Sequence, residues 1–548
     1  MKSYLPLLSA KLMRSCDDYT MHTLAVPSQV LMERAARGVV NHLEERGDLY
    51  FADGNRVLVL CGGGNNGGDG FAVARFLHEG TYGIPRQVSV CYVGKLKSDG
   101  SPDQTRMSPE CARQYDYARK LLIPIFTPLQ VAHSLANANV IVDALFGIGL
   151  DRPITGEIGE LTQAVNERRV PVVSVDIPSG VHSDSGDILG TAVKATATVT
   201  MQALKRGLLL YPGADLAGEL VICDIGVDLT PAHGHPVRLA DRDLLSDVMP
   251  PRNRRTHKGS YGQIALVCGS HAMSGAAVLA AKAALRSGAG LVRVITPECN
   301  REILQIAVPE AVLTCYHPTR PDLKELTAAL AHCDGAVIGC GFGTSPEAST
   351  LLGTLLDALP IRPDYPVVLD ADALNLISQN PWMWQSTLLT EGCGQVIVTP
   401  HPMEMSRLTG VAVGQLLADP IAAAQTSASD HGVTVVLKDA HTVIAAPGGE
   451  TWLCPFGNAG MAKGGSGDVL AGIIGALAVQ NRDEIPSVSL GMIAAAGVVL
   501  HGLAGDAAAK LHGEYAMTPS DLIRNLGTVT RDLSHTDTVI SFLDSTDI

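Results

Sequence analysis

The chain has 548 residues, 46% hydrophobic and 18% charged, with 56 glycines and 31 prolines, a composition that fits a globular protein of roughly two to four domains. Its 41 basic and 55 acidic residues give a formal charge of −14, and aromatics make up only 4%, so a phosphate backbone would be repelled and few rings are available to stack on bases. Nucleic acid is excluded as a partner on these grounds, and small ligands are expected.

The 12 cysteines include no C-x-x-C pair, which argues against a zinc site or a disulfide framework and for reduced thiols in the cytoplasm. At the start, the apolar run in MKSYLPLLSAKLMRSCDD is interrupted by Lys11 and is too short for a signal peptide. No run approaches the ~18 apolar residues of a spanning helix, so no membrane partner is expected.

From residue 56 the chain reads RVLVLC, a glycine loop, the helix-like FAVARFLHEG, then QVSVCYV. A polar stretch, 94–114, reads as an inserted surface loop, and ANVIVDALF and PVVSVDIPSG follow. Short β-branched runs alternating with helical periods predict a parallel sheet covered on both faces. A second series begins at GQIALVCGS (262–270) and continues through GLVRVIT, GAVIGCG, PVVLDADAL, QVIVTP and TVVLKD. The Pro-, His- and charge-rich stretch 230–259 between them is the expected boundary, giving domains 1–235 and 242–548; the tail after Leu533 carries no strong signal.

In the first series GGGNNGGDG (62–70) follows a strand and opens a helix, and Gly62, Gly64 and Gly67 satisfy G-x-G-x-x-G, a setting suited to phosphate contact. The next strand ends Tyr92-Val93-Gly94-Lys95, without the acid that would bind a dinucleotide ribose, and no Lys-Ser/Thr follows the loop as a Walker-type site requires. Strand ends in an open parallel sheet face one crevice, so Asn66, Asp69, Asp143, Asp176 and Ser179 are expected to converge, a hard-oxygen set suited to a cation. Taken singly, either Asp143 or Asp176 reads more readily as a helix N-cap.

LMERAA (31–36), GGGNNGGDG, DALFGIGLDRP and VDIPSG, in this order, resemble the NAD(P)H-hydrate epimerase domain. The resemblance implies a Rossmann-like parallel-sheet sandwich with potassium (K+) held by Asn66, Asp143 and Ser179. It further implies a hydrated nicotinamide nucleotide lined by Asn65, Asn66, Gly67, Gly68 and Asp69 and by Gly147, Ile148, Gly149, Leu150, Asp151, Arg152 and Pro153. Asp176 would stand beside the reacting ring as an acid–base group.

In the second series GGSGD (464–468) looks like the anion-hole segment of the ribokinase-like superfamily. Bare glycine amides at a helix start suit a phosphate, and the aspartate suits a hydroxyl proton. HKGSYG, SGAAVLAAKAALRSGAGLVRV, IGCGFGT, VLDADALN, TPHPMEM, LKDAHT and NAGMAKGGSGD together resemble the ADP- or ATP-dependent NAD(P)H-hydrate dehydratase, over nearly the whole second half. That implies a ribokinase-like α/β domain with Lys438, Asp439, Ala440, His441, Thr442 and Gly467 on the nucleotide. Ala276, Gly341, His401 and Asp468 would then face the substrate, with Asp468 as the catalytic group. Two positions depart from the family pattern, Met403 and Asp439, where glycine is usual. By itself His401 reads as a capped-turn histidine, and Asp370 or Asp372 as a strand-end cap.

The combined expectation is a bifunctional repair enzyme that epimerises the R and S hydrates of NADH and NADPH (NADHX and NADPHX) and dehydrates the S form. ADP as co-substrate with Mg2+, and a homo-oligomer, are expected with it. Two alternatives stand beside it: a small-molecule kinase of ribokinase type, distinguished by a phosphorylated product, and a nucleotide sensor without turnover, disfavoured by the carboxylates of Asp176 and Asp468, which binding alone does not require.

Overall fold

The β-branched runs become strands in a computed structural model, which describes all residues except 1–3, 81–83, 236, 250, 251, 253, 486, 532–539 and 544–548. The chain divides into two units, Met1–His235 with Thr538–Ile548, and Pro236–Asp537. Both have the α/β architecture expected of them.

In the first unit the strands are β1 (Leu7–Leu8), β2 (Arg56–Gly62), β3 (Gln87–Val93), β4 (Ile125–Phe126), β5 (Val140–Ala144), β6 (Val172–Val175), β7 (Ala197–Met201), β8 (Leu204–Lys205) and β9 (Glu219–Cys223). The main sheet has the order β9-β7-β6-β5-β2-β3-β4, every pair parallel. Val57, Val59 and Cys61 of β2 pack on one side with Leu31, Val39 and Phe71, whereas Leu58 and Leu60 pack on the other with Leu135, Leu161 and Val165. Burial on both faces is why these strands read as continuous apolar runs. The order reverses between β2 and β5, and the crevice beyond their C-terminal ends is where ligands bind in such sheets. A separate two-residue parallel pairing sets Leu7 against Leu204 and Leu8 against Lys205.

The stretch 94–114 is only in part the expected loop. Ser108 caps a helix over Pro109–Lys120, its Oγ accepting from the Cys111 amide, with Pro109 in the first turn. Cys111, Gln114, Tyr115 and Ala118 of that helix are buried. The polar composition hid an apolar stripe at helical spacing.

In the second unit the strands are β10 (Val237–Leu239), β11 (Gln263–Val267), β12 (Leu291–Pro297), β13 (Val312–Tyr316), β14 (Gly335–Ile338), β15 (Val367–Leu369), β16 (Val396–Val398), β17 (Thr434–Leu437), β18 (Thr442–Ala445) and β19 (Thr451–Cys454). Their order is β10-β19-β18-β17-β16-β15-β14-β11-β12-β13. Pairing is parallel from β13 through to β17 and antiparallel around β18. The order reverses between β11 and β14, which again opens a crevice at the strands' C-terminal ends. Gly472 lets the helix Ser466–Gln480 lie against Ser274–Arg286, because a Cβ there would stand 2.4 Å from the Ala280 carbonyl.

Three features differ from the sequence expectation. Val237–Leu239, inside the expected boundary stretch, pairs in parallel with Thr451–Leu453 and so enters the second sheet ahead of residue 242. The terminal strand β20 (Ile540–Leu543) pairs with β9 of the first sheet rather than belonging to the second unit, while 532–539 and 544–548 lie outside the described residues. Among the described residues one helix, Leu490–Ala516, is long and apolar enough to cross a membrane, with mean hydropathy 1.5, contrary to the expectation that no run comes close. Most of that helix is buried in the second unit, so its apolarity serves a core.

Candidate active sites

A cavity of about 690 Å³ opens at the reversal point of the first sheet. Asn65, Asn66, Asp69, Gly147, Ile148, Gly149, Leu150, Asp151, Arg152 and Asp176 all line it. Gly67, Gly68 and Pro153 do not. Gly67 and Gly68 are buried at the root of the helix Asn65–Glu79, where a Cβ would stand 1.8 Å from the Gly62 carbonyl or 2.6 Å from Met32 Cε. Those two glycines seat the loop. Gly63 to Asn66, at the start of that helix, line the cavity, and a helix start favours an anion.

Behind the cavity wall lies Asp143, at the end of β5 and fully buried. Its Oδ1 accepts from Ser179 Oγ at 2.6 Å and from the Leu145 amide at 3.3 Å. Its Oδ2 accepts from Ser174 Oγ at 2.8 Å and the Ser179 amide at 2.9 Å. Burial pushes the carboxyl up, and these hydrogen bonds oppose that shift. The Ser179 hydroxyl also accepts from the Phe146 amide at 2.9 Å, and Asn66 meets the same turn at Gly147. The Asn66 amide nitrogen is buried without a partner. Asp143 and Ser179 are thus joined directly, and Asn66 adjoins them through the turn 146–147. This all-oxygen set, with a buried carboxylate that forms no ion pair among the described residues, fits a monovalent cation, although protein donors already occupy four acceptor directions of Asp143.

Asp176 holds a left-handed φ of 70°, a strained position for a non-glycine residue and one found at functional sites. Its Oδ1 takes the ammonium of Lys205 and the Met201 amide at 3.1 Å. Lys205 is only 1% exposed; its Nζ also donates to Thr200 Oγ1 at 3.0 Å and to the Met201 carbonyl at 2.7 Å. Sequence reading missed Lys205, and it missed Asp17, which reaches the same cavity from the helix Ala10–Asp18. Burial, with Asp176 adding repulsion and Lys205 opposing, raises the Asp17 carboxyl to about 6. Asp69 is pushed well above the usual carboxylate range, chiefly by burial and then by Asp176 and Asp17. No motif flagged Asp17, and no local pattern couples it to a strand nearly two hundred residues away.

In the second unit the ends of β11, β14, β15, β16 and β17 deliver Cys268, Cys340, Asp370, Thr399 and Lys438 to one crevice. Asp370, 1% exposed, accepts from Thr399 Oγ1 at 2.6 Å and from Lys438 Nζ at 2.9 Å, both at Oδ1. Lys438 also lies 3.9 Å from Glu404 Oε2. Its ammonium thus faces two acids within the crevice. Asp468 joins the group in the first turn of its helix: ligand atoms of Cys340, Asp370 and Asp468 lie within 4.8 Å of one another. Burial and then Asp370 raise Asp468 to about 6, opposed by Cys340 and Lys438. A carboxyl tuned to that range suits proton abstraction near neutral pH.

Gly467 adjoins this cluster, since a Cβ on it would stand 3.5 Å from Lys438 Nζ and 3.8 Å from Asp370 Oδ2. The loop's conformational demand falls instead on Gly465, at φ 100°. His501, absent from the sequence reading, is held neutral by burial, its pKa about 4, with Nε2 3.0 Å from the Ser466 carbonyl. Gly341 and Ala276 are neighbours: a Cβ on Gly341 would come 2.7 Å from that of Ala276. His401 caps the helix Pro402–Thr409, its Nδ1 accepting from the Met403 amide at 3.2 Å, while the Glu404 carboxylate accepts from the His401 amide at 2.9 Å. Asp372 accepts from the Gly343 amide at 2.7 Å, and Asp439 and Ala440 lie exposed in the turn before His441 and Thr442, where β18 begins. Met403 is 51% exposed, so this departure from the family pattern disturbs no core.

Residues 264–527 match the family described as NAD(P)H-hydrate dehydratase, and residues 28–207 match the family described as YjeF-related protein N-terminus. A bifunctional NAD(P)H-hydrate repair enzyme of Moorella thermoacetica is 36% identical over 96% of this chain and 97% of its own. One of Coxiella burnetii is 35% identical over 92% and 96%. Among solved structures, a ribokinase-like superfamily protein of Enterococcus faecalis covers 55% of this chain and 98% of its own at 31% identity, with a TM-score of 0.48. With the relatives matching across both units, the chain belongs to the bifunctional NAD(P)H-hydrate repair enzymes and carries their epimerase and dehydratase activities.

Proposed function

We propose that the cavity of the first unit interconverts the R and S hydrates of NADH and NADPH, and that the crevice of the second dehydrates the S form with ADP as co-substrate. The carrying observation is the pairing, in each unit, of a carboxylate at the sheet's reversal point with a glycine-rich helix start: Asp176 with Gly63 to Asn66, and Asp468 with Gly464 to Gly467. The glycine amides take phosphate oxygens, and the carboxylates handle protons at the hydrated ring.

In the second unit Asp468 takes the proton of the C6 hydroxyl as its oxygen attacks the terminal phosphorus of ADP, and the bond from that phosphorus to the bridging oxygen breaks with AMP leaving. The C6–O bond then breaks with phosphate as the leaving group, and a C5 proton is lost to restore the dihydronicotinamide. Gly467 would stand beside the phosphates, and Lys438, paired with Asp370, reaches them from the same crevice. Ala276, Gly341 and His401 face the hydrate, and Lys438 to Thr442 form the strand end and turn along the nucleotide. Mg2+ would accompany the nucleotide and screen its phosphates, and Asp370 would be the carboxylate of the cluster to hold it, with Asp468 kept for the proton and Cys340 sulfur a poor ligand for so hard an ion.

In the first unit Asn66, Asp143 and Ser179 would hold K+, whose charge would balance the buried Asp143 carboxylate. The two activities divide at the 230–259 stretch. The protein works in the cytoplasm, in keeping with free thiols on the eleven described cysteines, and as a homo-oligomer.

The test is direct: purified protein is mixed with both NADHX epimers and followed by the absorbance of reduced nicotinamide. Complete return with ADP, and interconversion of epimers without it, is the expected result. Loss of only half the hydrate with ADP, or phosphorylation of an added alcohol in place of dehydration, would refute the reading.

A further inference from the structure

Epimerisation at C6 needs two proton-handling groups. When the C6–O bond breaks, N1 supplies the electron pair that forms a C=N+ bond, and the departing hydroxyl needs a proton to leave as water. When water adds to the opposite face, it must lose one. Asp176 can fill only one of these roles at a time, and its Oδ1 already meets the buried Lys205 ammonium. A second group must therefore fill the other role.

Asp17 meets that requirement by position. It lines the same cavity as Asp176 and Lys205 but comes from a separate element, the N-terminal helix Ala10–Asp18. It accepts no hydrogen bond among the described residues, so its carboxyl is free for a ligand. The helix is held in place from both ends of its approach: Leu7 and Leu8 pair in parallel with Leu204 and Lys205, and the Ala10 amide donates to Asp184 Oδ1 at 2.6 Å. The pairing that fixes the route to Asp17 thus runs along the strand that carries Lys205.

We infer that Asp17 is the second acid–base residue of the first cavity: it gives its proton to the C6 hydroxyl on one face, while the Asp176 carboxylate receives a proton from the water adding to the other. One proton leaves Asp17 and one arrives at Asp176, and water exchanged within the cavity balances the rest. The reverse epimerisation uses the same two groups with their roles exchanged. Lys205 is a positioning residue, fixing the Asp176 carboxyl through Oδ1 while its own Nζ is anchored on the Met201 carbonyl. The elevated pKa of Asp17, about 6, agrees with this division. Asp69 lies on the same cavity, and burial raises its carboxyl as well. Charged neighbours on the cavity wall are Arg14, Asp18, Glu110, Asp151 and Arg152.

The inference rests on reading the first cavity as the epimerisation site, and the test separates the two. Epimer interconversion by the full chain is measured without nucleotide, by chromatography of the R and S forms, across pH 5 to 9. In the unaltered protein kcat/KM should fall as pH rises above about 6, because Asp17 loses the proton it must deliver. Asp17→Asn should lower kcat by about 10² to 10⁴ with KM within a few-fold, and abolish that alkaline fall. Asp17→Glu should restore part of the rate and the fall with it, and ADP-dependent dehydration of the S hydrate should be unchanged in both. An unaltered protein with no alkaline fall, an Asp17→Asn protein with normal kcat, or loss of the fall in Asp69→Asn instead would overturn the inference. If Asp176→Asn also left epimerisation intact, the reading of the cavity itself would fail.

Discussion

Lys438 Nζ donates to Asp370 Oδ1 at 2.9 Å in the crevice of the second unit, where Asp370 is 1% exposed and Asp468 stands on the same cluster. Removing one partner of such a pair strands a buried charge. Lys438→Met should therefore cost about 3 to 5 kcal/mol of stability in the second unit, read from its denaturant midpoint, although the substitution is nearly isosteric. It should also move the acid limb of dehydration to higher pH, since Lys438 lowers the Asp468 pKa. An unchanged midpoint would show that the pair is solvated.

Asp468 must be ionised to accept a proton, and burial places its carboxyl near 6. Dehydration should thus decline as pH falls through about 6, and Asp468→Asn should cut its rate by about 10² to 10⁴ while leaving ADP affinity intact. Gly467 has ordinary helical backbone and room for a Cβ, so Gly467→Val should fold normally yet lose ADP affinity through its bulk at the phosphates. Calorimetric titration with ADP beside the dehydration assay checks both. Equal loss of ADP binding in the two variants would make Asp468 a structural helix cap.

Four protein donors converge on Asp143, and no protein cation pairs with it among the described residues. Potassium should raise the melting temperature of the first unit relative to choline at equal ionic strength, and should speed epimerisation. Asp143→Asn should abolish both responses and leave dehydration unaltered. Identical melting curves in the two salts would remove the cation from the mechanism.

A fragment beginning at residue 236 should fold alone and dehydrate only the S hydrate. One beginning at 242 lacks Val237–Leu239, which pairs with β19, and so exposes that edge. It should melt at a lower temperature. Turnover of the R hydrate at the full-length rate by either fragment would refute the division of labour.

The sequence by itself determined the two α/β units, the positions of the glycine loops, and Asp176, Asp143, Asp370 and Asp468 at strand ends or in a glycine-rich turn. These are local matters: β-branched runs buried on both faces, and glycines where a backbone must pass closely or adopt positive φ. The composition of 94–114 concealed a helix only because its apolar stripe is narrow. Tertiary structure alone decided what those residues touch. Lys205 meets Asp176 across a strand and a turn, and Asp17 reaches them through a two-residue pairing between β1 and β8. Lys438 turns to Asp370 and Glu404 instead of outward. β10 and β20 find partners more than two hundred residues away in the chain. Such pairings depend on which side chains burial brings together, and burial is a property of the packed chain, with no period or spacing along the sequence to record it.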